Sequence, residues 1–284
     1  MYIRLKLAMT LSERNFFFKA GIAFCAVSTL LILAASFLVV PVYPTMAEND
    51  RRPSDFFQVF LSGFLNANYL AVHASMIMAV LFSLIGISLI HYFFLQTSAP
   101  EILFIAFFTI SFSFEAIRLI IPLRLIFDIS TFYILLASRI LLFARYFSIF
   151  SLFAASICAA GLEIQKTRNI ILIVIIATLV ITFGVPIDIL SWDTGLNMIT
   201  GYSLMLNVIE LVTFIIIVIN FFVAANVCGS KEYNFIGMGA AFALIGRYLL
   251  LKADNLACPL PGILLLSIGT WFICSRLHKI HLWL

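Results

Sequence analysis

The sequence predicts an all-α fold: a polytopic membrane helix bundle of eight transmembrane helices, one plus seven, with both termini cytoplasmic. Three observations predict it. Hydrophobic residues fill 64% of the 284 positions and charged residues 11%, against about a quarter charged in soluble domains, and mean hydropathy is +1.16. Eight segments reach the roughly 20 mainly apolar residues that a helix needs to cross a hydrocarbon core. The charges between them are unevenly divided. With the N-terminus inside, Arg4, Lys6, Arg14, Lys19, Lys166, Arg168, Lys231, Arg276 and Lys279 fall on the cytoplasmic side, against Arg51, Arg52, Arg124 and Lys252 outside, as the positive-inside bias requires.

The whole chain, 1–284, reads as a single integral membrane domain. Residues 1–16 form a cytoplasmic N-terminal segment. The first span, 17–41, ends at Pro41 and Pro44. The run PTMA before Glu48 resembles a signal-cleavage site, but the apolar stretch ahead of it exceeds the roughly 7 to 15 residues of a signal core, so the reading keeps a retained span with cleavage as the alternative. Seven spans follow either way. The outer loop 42–68 passes from AENDRRPSD to FFQVFLSGFLNANY, where Phe56, Phe57, Phe60, Leu61 and Phe64 share one helical face and Gln58 and Ser62 oppose them. That is a short interfacial helix started at Pro53 or Ser54, or else a greasy connector packed on the bundle.

The seven-helix bundle occupies 69–276, with spans at 69–95, 101–121, 129–161, 169–187, 199–226, 235–252 and 259–276. Turn-forming runs separate them: QTSAP, Pro122, GLEIQKTR, GVPIDILSWDTG, CGSKEYN and ADNLACPLPG. At about 1.5 Å per residue the segment 129–161 is longer than one crossing needs. No Gly, Pro or Asn interrupts it, so one long or tilted helix is expected rather than a hairpin. Trp192 in an outer loop and Trp271 and Trp283 near the inner end of the last helix suit the two interfaces.

Several function classes lack support in these residues. The basic residues flank apolar runs and leave no patch for nucleic acid. Five cysteines, an odd number without C-x-x-C spacing, point to free thiols. His73 and His91 are the histidines of the spans and share one helix, which gives no metal or haem site. No G-x-S-x-G, H-E-x-x-H or paired-aspartate pattern occurs, so neither an enzyme nor a cofactor is expected. The run GMGAAFALIG reads as a helix-packing seam through Gly239 and Ala243.

What remains is the set of ionisable residues inside the spans, each costing about 2.5 to 3.5 kcal/mol to insert unless it finds a partner, a cavity or an interface. Glu115 and Arg118 lie on the third span, Arg139 and Arg145 on the fourth, Glu210 on the sixth and Arg247 on the seventh, with His73 on the second. Ser111, Glu115 and Arg118 share one helical stripe, and Ser203, Asn207 and Glu210 another, so both should face protein. Depth counted from the helix ends levels Glu115 with Arg139 on an antiparallel neighbour, and these two are the expected pair. Four arginines against two glutamates leave an excess of positive charge. Either Arg118 and Arg247 snorkel to headgroups, or the cluster lines an outward-open cavity that receives an anion: a carboxylate, a phosphate or a lipid headgroup. The candidate ligand-binding set is therefore Glu115, Arg139, Asn207, Glu210 and Arg247, with His73, Arg118 and Arg145 as contributors.

The expected role is a sensor or accessory binding protein of the bacterial plasma (inner) membrane. Its partners would be the lipid bilayer, an anionic small molecule or lipid headgroup, and a cytoplasmic partner protein, since no soluble domain is present. One span followed by seven resembles bacterial membrane sensor regions in helix count alone. The alternative is a small-solute or anion transporter of inverted three-helix repeats, suggested by FARYF at 143–147 and IGRYL at 245–249, each following a span that carries a glutamate.

Overall fold

The computed structural model describes residues 11–43, 68–95, 99–161 and 167–282. The expected interfacial helix at 56–64 and the PTMA run lie outside these residues. Among the described residues, eight helices are long and apolar enough to cross a membrane: Leu11–Val42, Tyr69–Phe93, Pro100–Phe127, Thr131–Ala159, Thr167–Gly184, Ser203–Val227, Glu232–Leu251 and Pro259–Ile280. The first begins at Leu11 rather than at residue 17. The fourth is one continuous helix, closed by Gly161 at φ 111°, a conformation glycine adopts without strain.

The third span departs most from expectation. Pro100 at its first turn needs no N–H partner, and an ordinary α-helix runs to Ile110. Ser111–Leu119 then tightens into a 3-10 helix before α-helix resumes at Ile120–Phe127. Pro122 does not end the span as the sequence suggested. It lacks the N–H that would bond the Arg118 carbonyl and its ring crowds that carbonyl, and the segment before it takes the three-residue turn instead. Asp128, in the left-handed conformation at φ 47°, terminates the span. In a 3-10 helix residues three apart eclipse, which stacks Phe112, Glu115 and Arg118 and takes Ser111 off the expected stripe; its hydroxyl bonds the Phe107 carbonyl at 2.7 Å.

A β-hairpin joins the fifth and sixth spans where the sequence suggested only a loop. Strand β1, Ile187–Trp192, pairs antiparallel with β2, Met198–Thr200, setting Ile187 opposite Thr200 and Trp192 opposite Met198. Ile187, Ile199 and Thr200 supply β-branched character, and so Ile199 belongs to a strand and the sixth span starts at Ser203. At the tip, Asp193 accepts from the Asn197 backbone N–H at 2.8 Å, and the Leu196 N–H donates to the Asp193 carbonyl at 3.1 Å. Leu196 holds a left-handed φ of 55° and is fully buried. It packs in a cluster with Val39, Tyr43, Val72, Leu119, Ile121 and Ile134, from the first four spans. The hairpin thus plugs one end of the bundle.

The second, third, fourth and seventh spans are more than half buried, and the first, fifth, sixth and eighth mainly face outward. The seventh and eighth pack closest. A Cβ on Gly246 would collide with the Leu266 backbone nitrogen, and one on Gly269 with the backbones of Ala243 and Gly239, as small residues at a membrane crossing permit. At the end opposite the hairpin, Arg14 of the first span donates to the Phe94 carbonyl at 2.9 Å, and the His278 ring of the eighth lies 5.6 Å from the Phe94 ring. The described ends of the chain therefore sit together.

Candidate functional site

The expected pair of Glu115 with Arg139 does not form. Glu115, 2% exposed, instead accepts two parallel bonds from Arg145, Nε to Oε1 and Nη2 to Oε2, both 2.8 Å. This fork is the strongest geometry available to the two groups. Arg118, stacked beside Glu115 by the 3-10 turn, reaches Oε2 through Nη1 at 3.3 Å. Its Nη2 donates to the Gly195 carbonyl at the hairpin tip, and its buried Nε has no acceptor. Arg118 is 2% exposed, so it does not snorkel.

The network continues across the bundle. Arg247 donates from Nε to Ser148 Oγ at 2.9 Å and from Nη2 to the Arg145 carbonyl at 2.8 Å, with Glu210 Oε1 at 3.6 Å from the same Nη2. Arg118, Glu115, Arg145, Arg247 and Glu210 therefore form a ladder through the third, fourth, seventh and sixth spans. Ser148 and Gly195 are members that side-chain reasoning missed; Gly195 acts through its backbone, which leaves no trace in a pattern of polar side chains.

The other expected residues lie elsewhere. Arg139 donates to the carbonyls of Thr182 and Val185, the end of the fifth span, where unpaired carbonyls and the helix dipole favour a cation. It borders a crevice of about 410 Å³ with Phe132, Phe143 and Phe183. Asn207 is exposed and accepts from Lys252 Nζ at 2.9 Å. With Ser203 also exposed, Glu210 is the one member of the sixth-span stripe that faces protein. His73 lies between the first two spans, 2.9 Å from Ser36 Oγ and 3.0 Å from the Tyr43 hydroxyl. Because Ser36 donates to the Ile32 carbonyl at 2.6 Å, it accepts from His73 Nε2, and Nδ1 accepts from Tyr43. Burial pushes the Tyr43 hydroxyl above the ordinary tyrosine range, so it stays protonated as that donor.

The hairpin also brings a carboxylate. Arg118 Nη2 and Asp193 Oδ1 flank Gly195, 3.2 and 3.3 Å from where a Cβ would stand, and the Asp193 charge acts on both Arg118 and Arg145. Three arginines thus meet two glutamates and one aspartate of the tip. Beneath the tip a cavity of about 40 Å³ is bounded by Arg118, Ser138, Arg145, Leu196 and Asn197. Water needs about 10–15 Å³ of such space, so a water or two fits and a larger anion does not while the hairpin is seated. The five cysteines are free thiols. The chain matches no protein-family model and no curated protein sequence.

Proposed function

We propose that the protein is a sensor or accessory binding protein of the bacterial plasma membrane, with cytoplasmic termini and an anion-seeking site beneath an external hairpin. The observation that carries this reading is the state of Arg118. It is buried, shares its one carboxylate with Arg145, has an unpartnered Nε and is capped by a carbonyl of a surface hairpin. Asp193 and Gly195 stand where an external anion would bind. An anion that displaces the tip takes over Arg118 and Arg145 and moves the hairpin, which is a binding event coupled to a shape change. Small cytoplasmic ends then pass that change to a partner protein.

Carboxylates, inorganic phosphate and soluble anionic lipids titrated against the detergent-purified chain test it. A bound anion stabilises by mass action, about 2.7 kcal/mol at a hundredfold excess over Kd, which raises the melting temperature by several degrees. Arg118→Gln should remove the part of the shift that this site gives, and Arg139→Gln should keep it. No Arg118-dependent shift with any of these anions overturns the reading.

One observation favours the transporter as a second reading. Glu115 with Arg145 and Glu210 with Arg247 hold matching places in the two halves that reading proposes, and the pairs meet at the Arg145 carbonyl. Anion flux into proteoliposomes that Arg118→Gln stops distinguishes it from a sensor, which binds without flux.

A further inference from the structure

A second basic cluster lies at the end away from the hairpin, unconnected to the ladder. Arg14 sits in the first turn of the first span, yet is only 4% exposed. Its Nη2 is well used, donating to the Phe94 and Leu95 carbonyls at 2.9 Å each and to Asn15 Oδ1 at 3.0 Å. Its Nε and Nη1 are buried without an acceptor. The guanidinium lies 5.3 Å from the centre of the Phe18 ring, and His91 meets the same ring at 6.0 Å. The His91 Nδ1 is likewise buried and unpartnered, and Lys19 and Arg14 both act on it electrostatically.

No carboxylate balances these groups among the described residues. Glu13, the next acid along the chain, bonds Arg168 at 2.8 Å. Residues 1–10 add Arg4 and Lys6 to the sequence and no Asp or Glu. Leaving three N–H donors of a buried guanidinium unmade costs about 1–3 kcal/mol or more, so an acceptor beyond the described residues is called for. The surroundings indicate its source. Phe16, Phe17, Tyr92 and Phe93 around the cluster are exposed, as side chains facing lipid are. Lys19, one turn deeper than Arg14, must reach back along the helix to place its ammonium in a polar layer. The anion at the depth where hydrocarbon gives way to water is the phosphate of a phospholipid.

We propose that Arg14, with Lys19 and His91, forms a phosphate-binding site at the end of the bundle opposite the hairpin, taking the headgroup of an anionic phospholipid or free phosphate. Phosphate oxygens accept from Nε and Nη1 of Arg14 while Nη2 keeps its bonds to the second span. The site thereby ties the first span to the end of the second.

Melting of the delipidated full chain in a neutral detergent tests it with three probes: dioctanoyl phosphatidylglycerol, dioctanoylglycerol and inorganic phosphate. Phosphatidylglycerol should give a saturable rise of several degrees, dioctanoylglycerol none, and Arg14→Gln should weaken the apparent affinity at least tenfold. A rise with inorganic phosphate that Arg14→Gln also removes identifies free phosphate as the source. Arg14→Lys, which keeps the charge, covers the case in which the Gln variant does not fold, and should retain a weakened response. In the Arg118→Gln variant, which lacks the other anion site, the Arg14-dependent part of the response should remain. An equal rise with dioctanoylglycerol, no rise with either phosphate probe, or a full response without Arg14 overturns the proposal.

Discussion

Glu115 is the residue on which the candidate site turns, because two arginines share its single carboxylate. Replacing it with Gln strands Arg118 and Arg145 and should cost about 3–5 kcal/mol, since buried charges are left without their partner; replacing Arg145 with Gln leaves Glu115 the longer bond to Arg118 and should cost less. The double replacement should cost clearly less than the sum, read as a coupling in a double-mutant cycle of unfolding in detergent. Additive losses would remove the pair from the account. That buried charges on the third and fourth spans must meet was legible in the sequence; which ones was not. Counting depth from Pro122 set Glu115 too near the helix end, because the helix in fact runs on to Phe127. Arg139 found backbone carbonyls instead of a side chain, and hydropathy does not display carbonyls.

At the scale of elements, the eight helices and the close seam of the seventh span were legible, because length, apolarity and small-residue spacing are all local properties. The 3-10 stretch of the third span and the β-hairpin were not. The first depends on a proline being tolerated inside a span by its neighbours. The second depends on a greasy tip finding a cleft between the first four spans. The seam gives the sharpest element-level prediction. Gly269→Ala drives a methyl group into the backbones of Gly239 and Ala243, and should lower stability by about 1–3 kcal/mol, the usual penalty for overpacking. Gly184→Ala meets nothing within 4 Å and should be neutral or slightly stabilising. Melting temperatures of the two variants compare them directly; equal effects would mean that the two spans separate easily.

For the whole molecule, Arg14 and His278 meet at Phe94, so the described chain ends lie at one end of the bundle, and the charge asymmetry is the ground on which we propose that this end faces the cytoplasm. A cytoplasm-active reporter fused after Leu284 should work, and a periplasm-active one should stay silent; the opposite result reverses the orientation and exposes the hairpin to the cell interior. The division into buried and lipid-facing helices adds one more consequence. The strands of the hairpin run directly into the fifth and sixth spans, two of the helices that the protein itself holds least. The plug is therefore mounted like a stopper on two levers whose long arms lie in lipid. On the proposed function, a bilayer that thickens, thins or tilts those arms would move Gly195 relative to Arg118, and the bilayer's own mechanics would be an input to the site alongside a dissolved anion.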